Sequence, residues 1–138
     1  MAVASQAVHG PTTIRSAAAL TASFVASDIF PSRMVNKFDL QLLLTARDAI
    51  TRLDFQVQFS NVGKPDESDD DDWNTVQSES DSTGTITMAD STWQKTIAAV
   101  GAWGFTFNAR GLWMRVKVKA GAGTPTASSA SMTVIPRE

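Results

Sequence analysis

With 138 residues and a mass of 14.8 kDa, the chain is the size of one ordinary domain, so a single core burying roughly two thirds of the unfolded surface is expected. It contains no cysteine, which excludes disulfide staples, thiolate metal sites and cysteine nucleophiles. The formal net charge of −2 is unevenly spread: six of the fourteen acids fall between Asp66 and Asp72, and the other eight face twelve Lys and Arg, leaving the rest of the chain mildly basic.

Residues 1–20 are small and polar, broken by Gly10-Pro11, and their bulky apolar groups Val3, Val8, Ile14 and Leu20 are too few to pack as a unit. This stretch reads as an extended N-terminal arm that either lies along its own domain or is held from outside. The uncharged run from Ser16 to Ser27 has 12 residues, against the ~20 that a membrane span needs. The chain also begins without the cationic start of a secretory signal, so it is expected to be made and kept in a cytoplasm, with no membrane partner.

A β-sandwich domain is expected over 21–138. Thr21–Ser27 forms a first short strand ended near Pro31; a helix over Ser16–Ala26 competes with it, weakened by β-branched Thr21 and Val25. Phe38, Leu40, Leu42 and Leu44 alternate with Asp39, Gln41 and Leu43, and Leu53, Phe55, Val57 and Phe59 alternate with Asp54, Gln56 and Gln58. Successive strand side chains point to opposite faces, so these are two half-buried strands, and Leu43 is a bulky apolar group left on an outer face. The short link Thr45–Thr51, a connection or a single helical turn, predicts that they pair with each other antiparallel.

An acidic loop follows at 61–82, with Trp73–Gln77 as a short edge strand inside it. Thr85–Met88, Thr92–Ile97 and Gly104–Phe107 are further β-prone runs separated by Gly, Asp and Ser. The clearest strand is Leu112–Lys119: Leu112, Met114, Val116 and Val118 make one apolar face, and Trp113, Arg115, Lys117 and Lys119 make the other. A turn at Gly121–Thr126 leads to the closing strand Ser131–Ile135. About eight short strands without a trusted helical segment predict an all-β, single-domain antiparallel sandwich of jelly-roll type.

Catalytic inventory is poor. His9 is the lone imidazole and sits on the arm, no phosphate-binding glycine loop occurs, and Asp39, Asp48, Asp54, Asp81 and Asp90 are scattered, so no enzyme and no cofactor is expected. The acidic run lacks the Asp-x-Asp-x-Asp-Gly spacing of a calcium loop, and its like charges favour a solvated loop or an electrostatic docking surface over a metal site. The cations beside Trp113 have the composition of a single-stranded nucleic-acid footprint, but the chain is net acidic and outward Lys ordinarily keeps a sheet soluble, so no nucleic acid is expected. Trp73, Trp93, Trp103 and Trp113 raise the alternative of a carbohydrate-binding module that stacks sugars on indoles; the bland reading is core or interface area.

The pattern Leu53-x-Phe55-Gln-Val57-Gln-Phe59-Ser60-Asn61, then Trp73 after a polar loop, then Gly111-Leu-Trp-Met-Arg-Val-Lys-Val-Lys-Ala-Gly-Ala-Gly-Thr-Pro125, resembles the small β-sandwich virion proteins of tailed phages, in particular capsid cement or decoration proteins. The resemblance covers about residues 37–135 at the level of strand pattern. It implies a non-enzymatic role on the capsid exterior, contact with the major capsid protein, assembly as a homo-oligomer (dimer or trimer), and an arm or loops reaching neighbouring subunits. On that footing the partner-binding residues are Asp69, Asp70, Asp71 and Asp72 on the loop and Trp113, Arg115, Lys117 and Lys119 on the strand. Loop and strand face are expected to pair across subunits, between two copies or with the shell.

Overall fold

The computed structural model describes residues 11–32, 35–66, 69–76, 87–89 and 92–137. Along them run the strands β1 (Thr12–Ala19), β2 (Val25–Ala26), β3 (Phe30–Pro31), β4 (Lys37–Ala46), β5 (Arg52–Ser60), β6 (Asn74–Thr75), β7 (Thr87–Ala89), β8 (Thr92–Thr96), β9 (Gly101–Asn108), β10 (Trp113–Ala122) and β11 (Ser129–Arg137), with one 3-10 turn at Asp70–Asp72. They build two antiparallel sheets. The first has the order β1-β11-β4-β9; the second has β2-β10-β5-β8-β7, with β3 also on β10 and β6 also on β5.

The sheets pack face to face, and the protein is an all-β sandwich. Alternation places the core where it was expected: Phe38, Leu40, Leu42 and Leu44 from β4 meet Leu53, Phe55, Val57 and Phe59 from β5, all buried. Met114, Val116 and Val118 of β10 and Met132 and Val134 of β11 complete the two inner faces. Aromatic rings bridge the layers: Phe55 and Trp93, stacked side by side in the second sheet at 6.3 Å, meet Phe105 at 5.2 Å and Phe107 edge-on at 5.3 Å, respectively, in the first.

Three features differ from the sequence expectation. First, β4 and β5 do not pair: β4 lies between β11 and β9, and β5 lies between β10 and β8. The link between them crosses from one sheet to the other. Buried Ile50 closes that end of the core, and the bonds Thr51 N to Ala122 O (3.0 Å) and Ile97 N to Thr51 O (3.0 Å) tie the crossing to the second sheet. A hairpin would have put both apolar faces on one sheet; crossing lets them face each other.

Second, residues 12–19, read as part of an arm, are a strand of the first sheet, paired from Thr12 opposite Val134 to Ala19 opposite Ser129. Ile14 and Leu20 enter the core. The described part of the arm thus lies along its own domain, while residues 1–10, with Val3, Val8 and His9, fall outside the described residues. Third, Thr21–Ser27 contributes only the two-residue β2, and β3 follows at Pro31. Both sit at the edge of β10, where a proline's missing N–H is tolerated. Ser27 fixes this segment, exchanging Ser27 N to Val116 O (2.8 Å) and Val116 N to Ser27 Oγ (2.9 Å). No helix forms over Ser16–Ala26.

Candidate functional site

The outer face of the second sheet carries most of the chain's organised polar chemistry. Because β5 and β10 pair in register, Gln58 lies opposite Arg115, Gln56 opposite Lys117 and Asp54 opposite Lys119. Period-two alternation sends all six side chains to the same outer face, where opposite residues interact across strands.

The described part of the acidic loop folds onto this face. Its closure is local: Asp72 Oδ2 accepts from Asp66 N (2.8 Å), Asp69 Oδ1 accepts from Asp71 N (3.0 Å), and the Trp73 indole donates to Asp66 O (3.1 Å). Aspartate is suited to this because its short carboxylate reaches backbone amides two residues on and caps a turn. The following β6 then anchors the loop to β5, with Gln58 Nε2 donating to Thr75 Oγ1 at 2.9 Å.

Closure delivers Asp70 to the cations. Its Oδ1 accepts from Arg115 Nη2 at 2.9 Å and from Lys117 Nζ at 3.0 Å. The Arg115 guanidinium lies 4.5 Å from the Trp73 ring centroid and donates through Nε to Gln58 Oε1 at 2.8 Å. Covered in this way, Arg115 is 1% exposed, although strand parity puts it on the outer face. The Asp70 carboxylate stays 76% exposed. Hydrogen bonding and charge attraction from Lys117, then Arg115, hold its carboxyl below the usual carboxylate range.

The remaining predicted residues take separate places. Lys119 lies 4.7 Å over the Phe24 ring, and half-buried Trp113 donates its indole N–H to Gly63 O at 3.2 Å. Asp69 and Asp71 are exposed and Asp72 is half-buried. Loop and strand face do come together, but within one chain: the pairing expected across subunits is, for Asp70, an internal one. Glu67 and the loop beyond Val76 lie outside the described residues.

The four indoles form no common platform. Trp93 is 2% exposed in the core and Trp73 is 6% exposed against Arg115, while Trp103 lies on the core side of β9 with Lys95 Nζ 5.8 Å from its ring. Three partners of Arg115 went unpredicted: Gln58, Trp73 and Asp70 as an internal partner. The amides of Gln56 and Gln58 on a strand otherwise suited to β-branched residues were the available signal, readable only once β5 is known to neighbour β10.

Further along the same face, Asp54 is 3% exposed and accepts from Arg52 Nε at 2.7 Å and Nη2 at 3.2 Å, while Arg52 Nη2 also reaches Gly121 O at 2.9 Å. A Cβ at Gly121 would overlap the Asp54 carboxylate, so a glycine is needed there. Gln56 Nε2 donates to Thr92 Oγ1 at 3.0 Å. Among the described residues no group of three His, Asp or Glu is placed to hold a metal ion, and no helix is long and apolar enough to cross a membrane.

Fold and site together define a class: a two-sheet antiparallel sandwich with a loop-covered, charge-paired face. Compared with known family models and with curated proteins, the chain matches none.

Proposed function

We propose that the protein is a structural virion component that binds the outside of a tailed-phage capsid and clamps neighbouring major capsid subunits, with no catalytic step of its own. The observation that carries this reading is the described part of the acidic loop, which folds onto the second sheet. Asp70 is neutralised internally, whereas Asp69, Asp71 and Asp72 make no ion pair among the described residues. Instead, Asp69 and Asp72 are held by backbone amides.

Like charges held at fixed positions repel in the isolated protein, and that arrangement becomes favourable when the ridge faces a cationic surface. A ridge already closed and anchored loses little further conformational freedom on docking. Both properties favour an electrostatic docking element repeated over many equivalent shell positions.

The test removes charge and keeps shape. In Asp69→Asn/Asp71→Asn/Asp72→Asn the amide oxygens can still accept the loop's backbone bonds, and Asp70 is untouched. Co-sedimentation with empty heads of the phage that encodes the chain should show weaker binding of the variant at low salt. Wild type and variant should converge as salt screens the ridge. Equal occupancy at low salt removes the reading. Quenching of Trp fluorescence by oligosaccharides, with head binding absent, would instead assign the protein to glycan recognition.

A further inference from the structure

Strand edges are templates for pairing with another chain, and proteins normally blunt them with short strands, bulges, proline or charge. Three edges of this sandwich are blunted. β1 has register shifts between Thr13 and Arg15 and between Arg15 and Ala18, and Arg15 Nη2 turns back onto Ala18 O and Ala19 O at 3.2 and 3.1 Å. In the second sheet, β2 and β3 have two residues each, and β7 has three among the described residues. The fourth edge, β9, is different. It has eight residues, pairs with β4 without a register shift, and contains no charge, proline or bulge. Among the described residues no strand lies on its outer side, although alternate residues of such a strand aim N–H and C=O groups away from β4.

We propose that β9 pairs antiparallel with β9 of a second copy about a two-fold axis at Gly104, joining the two first sheets into one continuous sheet. A second copy is favoured because the strand is self-complementary. Pairing about Gly104 keeps both pleats in phase, setting exposed Ala102 opposite the partner's Thr106 and Trp103 opposite the partner's Phe105. An uncharged strand brings no like charges together when it meets itself. Gly104 also has open space where a side chain would stand, in a hollow of about 330 Å³ lined by Asp39, Gln41, Thr106 and Ile135 on the outer face. Across the axis the two hollows become one trough. The edge belongs to the first sheet and the acidic loop to the second, so the dimer stands independently of the shell-binding reading. Edge pairing of this kind closes at two copies.

Sedimentation equilibrium over about 1 μM to 1 mM, the span of weak to moderate association, reads the outcome. Wild type should dimerise, with β9 amides exchanging more slowly as concentration rises. Ala102→Lys/Thr106→Lys puts cations opposite cations and should weaken the dimer about tenfold or more. Because both positions are exposed, the circular dichroism of the monomer should not change. Ala102→Glu/Thr106→Lys puts opposite charges at the same register and should restore association. A wild type that stays monomeric throughout, a trimer, or a dimer weakened equally by both variants overturns the proposal.

Discussion

Arg115 combines a stack on Trp73, a bond to Gln58 and an ion pair with Asp70 in one side chain that water scarcely reaches. Arg115→Ala should therefore cost about 2–4 kcal/mol in urea denaturation, because it strands a buried amide oxygen and leaves space against the indole. Asp70→Asn acts at the exposed end of the same contact. Its effect should be smaller than that of Arg115→Ala and should fade with added salt, as screening predicts for an exposed pair.

Asp48 is a carboxylate held well below the usual range. The Ser128 and Thr126 hydroxyls lower it most, followed by the Thr126 and Ala127 backbone amides, the latter at 2.8 and 2.9 Å. A depressed folded pKa contributes stability above the unfolded value of about 3.9 and loses it as pH falls toward the folded one. Asp48→Asn should thus be less stable than wild type at neutral pH, and the gap should close below about pH 4 in thermal melts. Trp93 presents an opposite case, a buried indole N–H with no hydrogen-bond partner among the described residues. Trp93→Phe removes an unsatisfied donor worth about 1–3 kcal/mol while opening a cavity, so the net change should stay within about 1.5 kcal/mol.

Among the elements, legibility in the sequence followed the strength of alternation. β4, β5 and β10 each carry a run of large apolar residues at every second position, and all three formed with the expected face inward. β1 has Ile14 as its single buried apolar residue, followed by Ser and Ala, so nothing local marks it as a strand; its partner β11 lies more than a hundred positions away. The internal anchoring of the loop after β5 was not legible for a related reason. Its composition repels itself, and only the cations of β10, distant in sequence, explain why part of it lies on the sheet.

The turn between β10 and β11 shows how one position can hold an element in place. Gly123 has φ of +85°, and a Cβ there would run into the Ala49 carbonyl of the sheet-crossing link. Gly123→Ala should destabilise by about 1–3 kcal/mol through backbone strain, with the clash added. Gly63→Ala, where a Cβ meets nothing within 4 Å, should change stability by about 0.5 kcal/mol or less. Thermal unfolding of the two variants side by side checks the contrast.

For the molecule as a whole, the partners within each sheet are far apart in sequence: β4 with β11, β1 with β11, and β5 with β10. Such topologies close long loops before native contacts form, so folding should take milliseconds to seconds and should fit a single exponential in stopped-flow fluorescence of the four Trp. Half of the binding reading was likewise a whole-molecule matter. The chain's charge asymmetry could be seen from composition, but whether it pairs internally or externally depends on the order of strands.

That strand order reaches back to biosynthesis. β11, the last of these strands in chain order, lies between β1 and β4 inside the first sheet. Until it emerges from the exit tunnel, β1 has no neighbour and the apolar face of β4 can be only partly sheltered. A message truncated before Ser129 therefore yields a nascent chain with half its sandwich unassembled, an open invitation to chaperones and proteases.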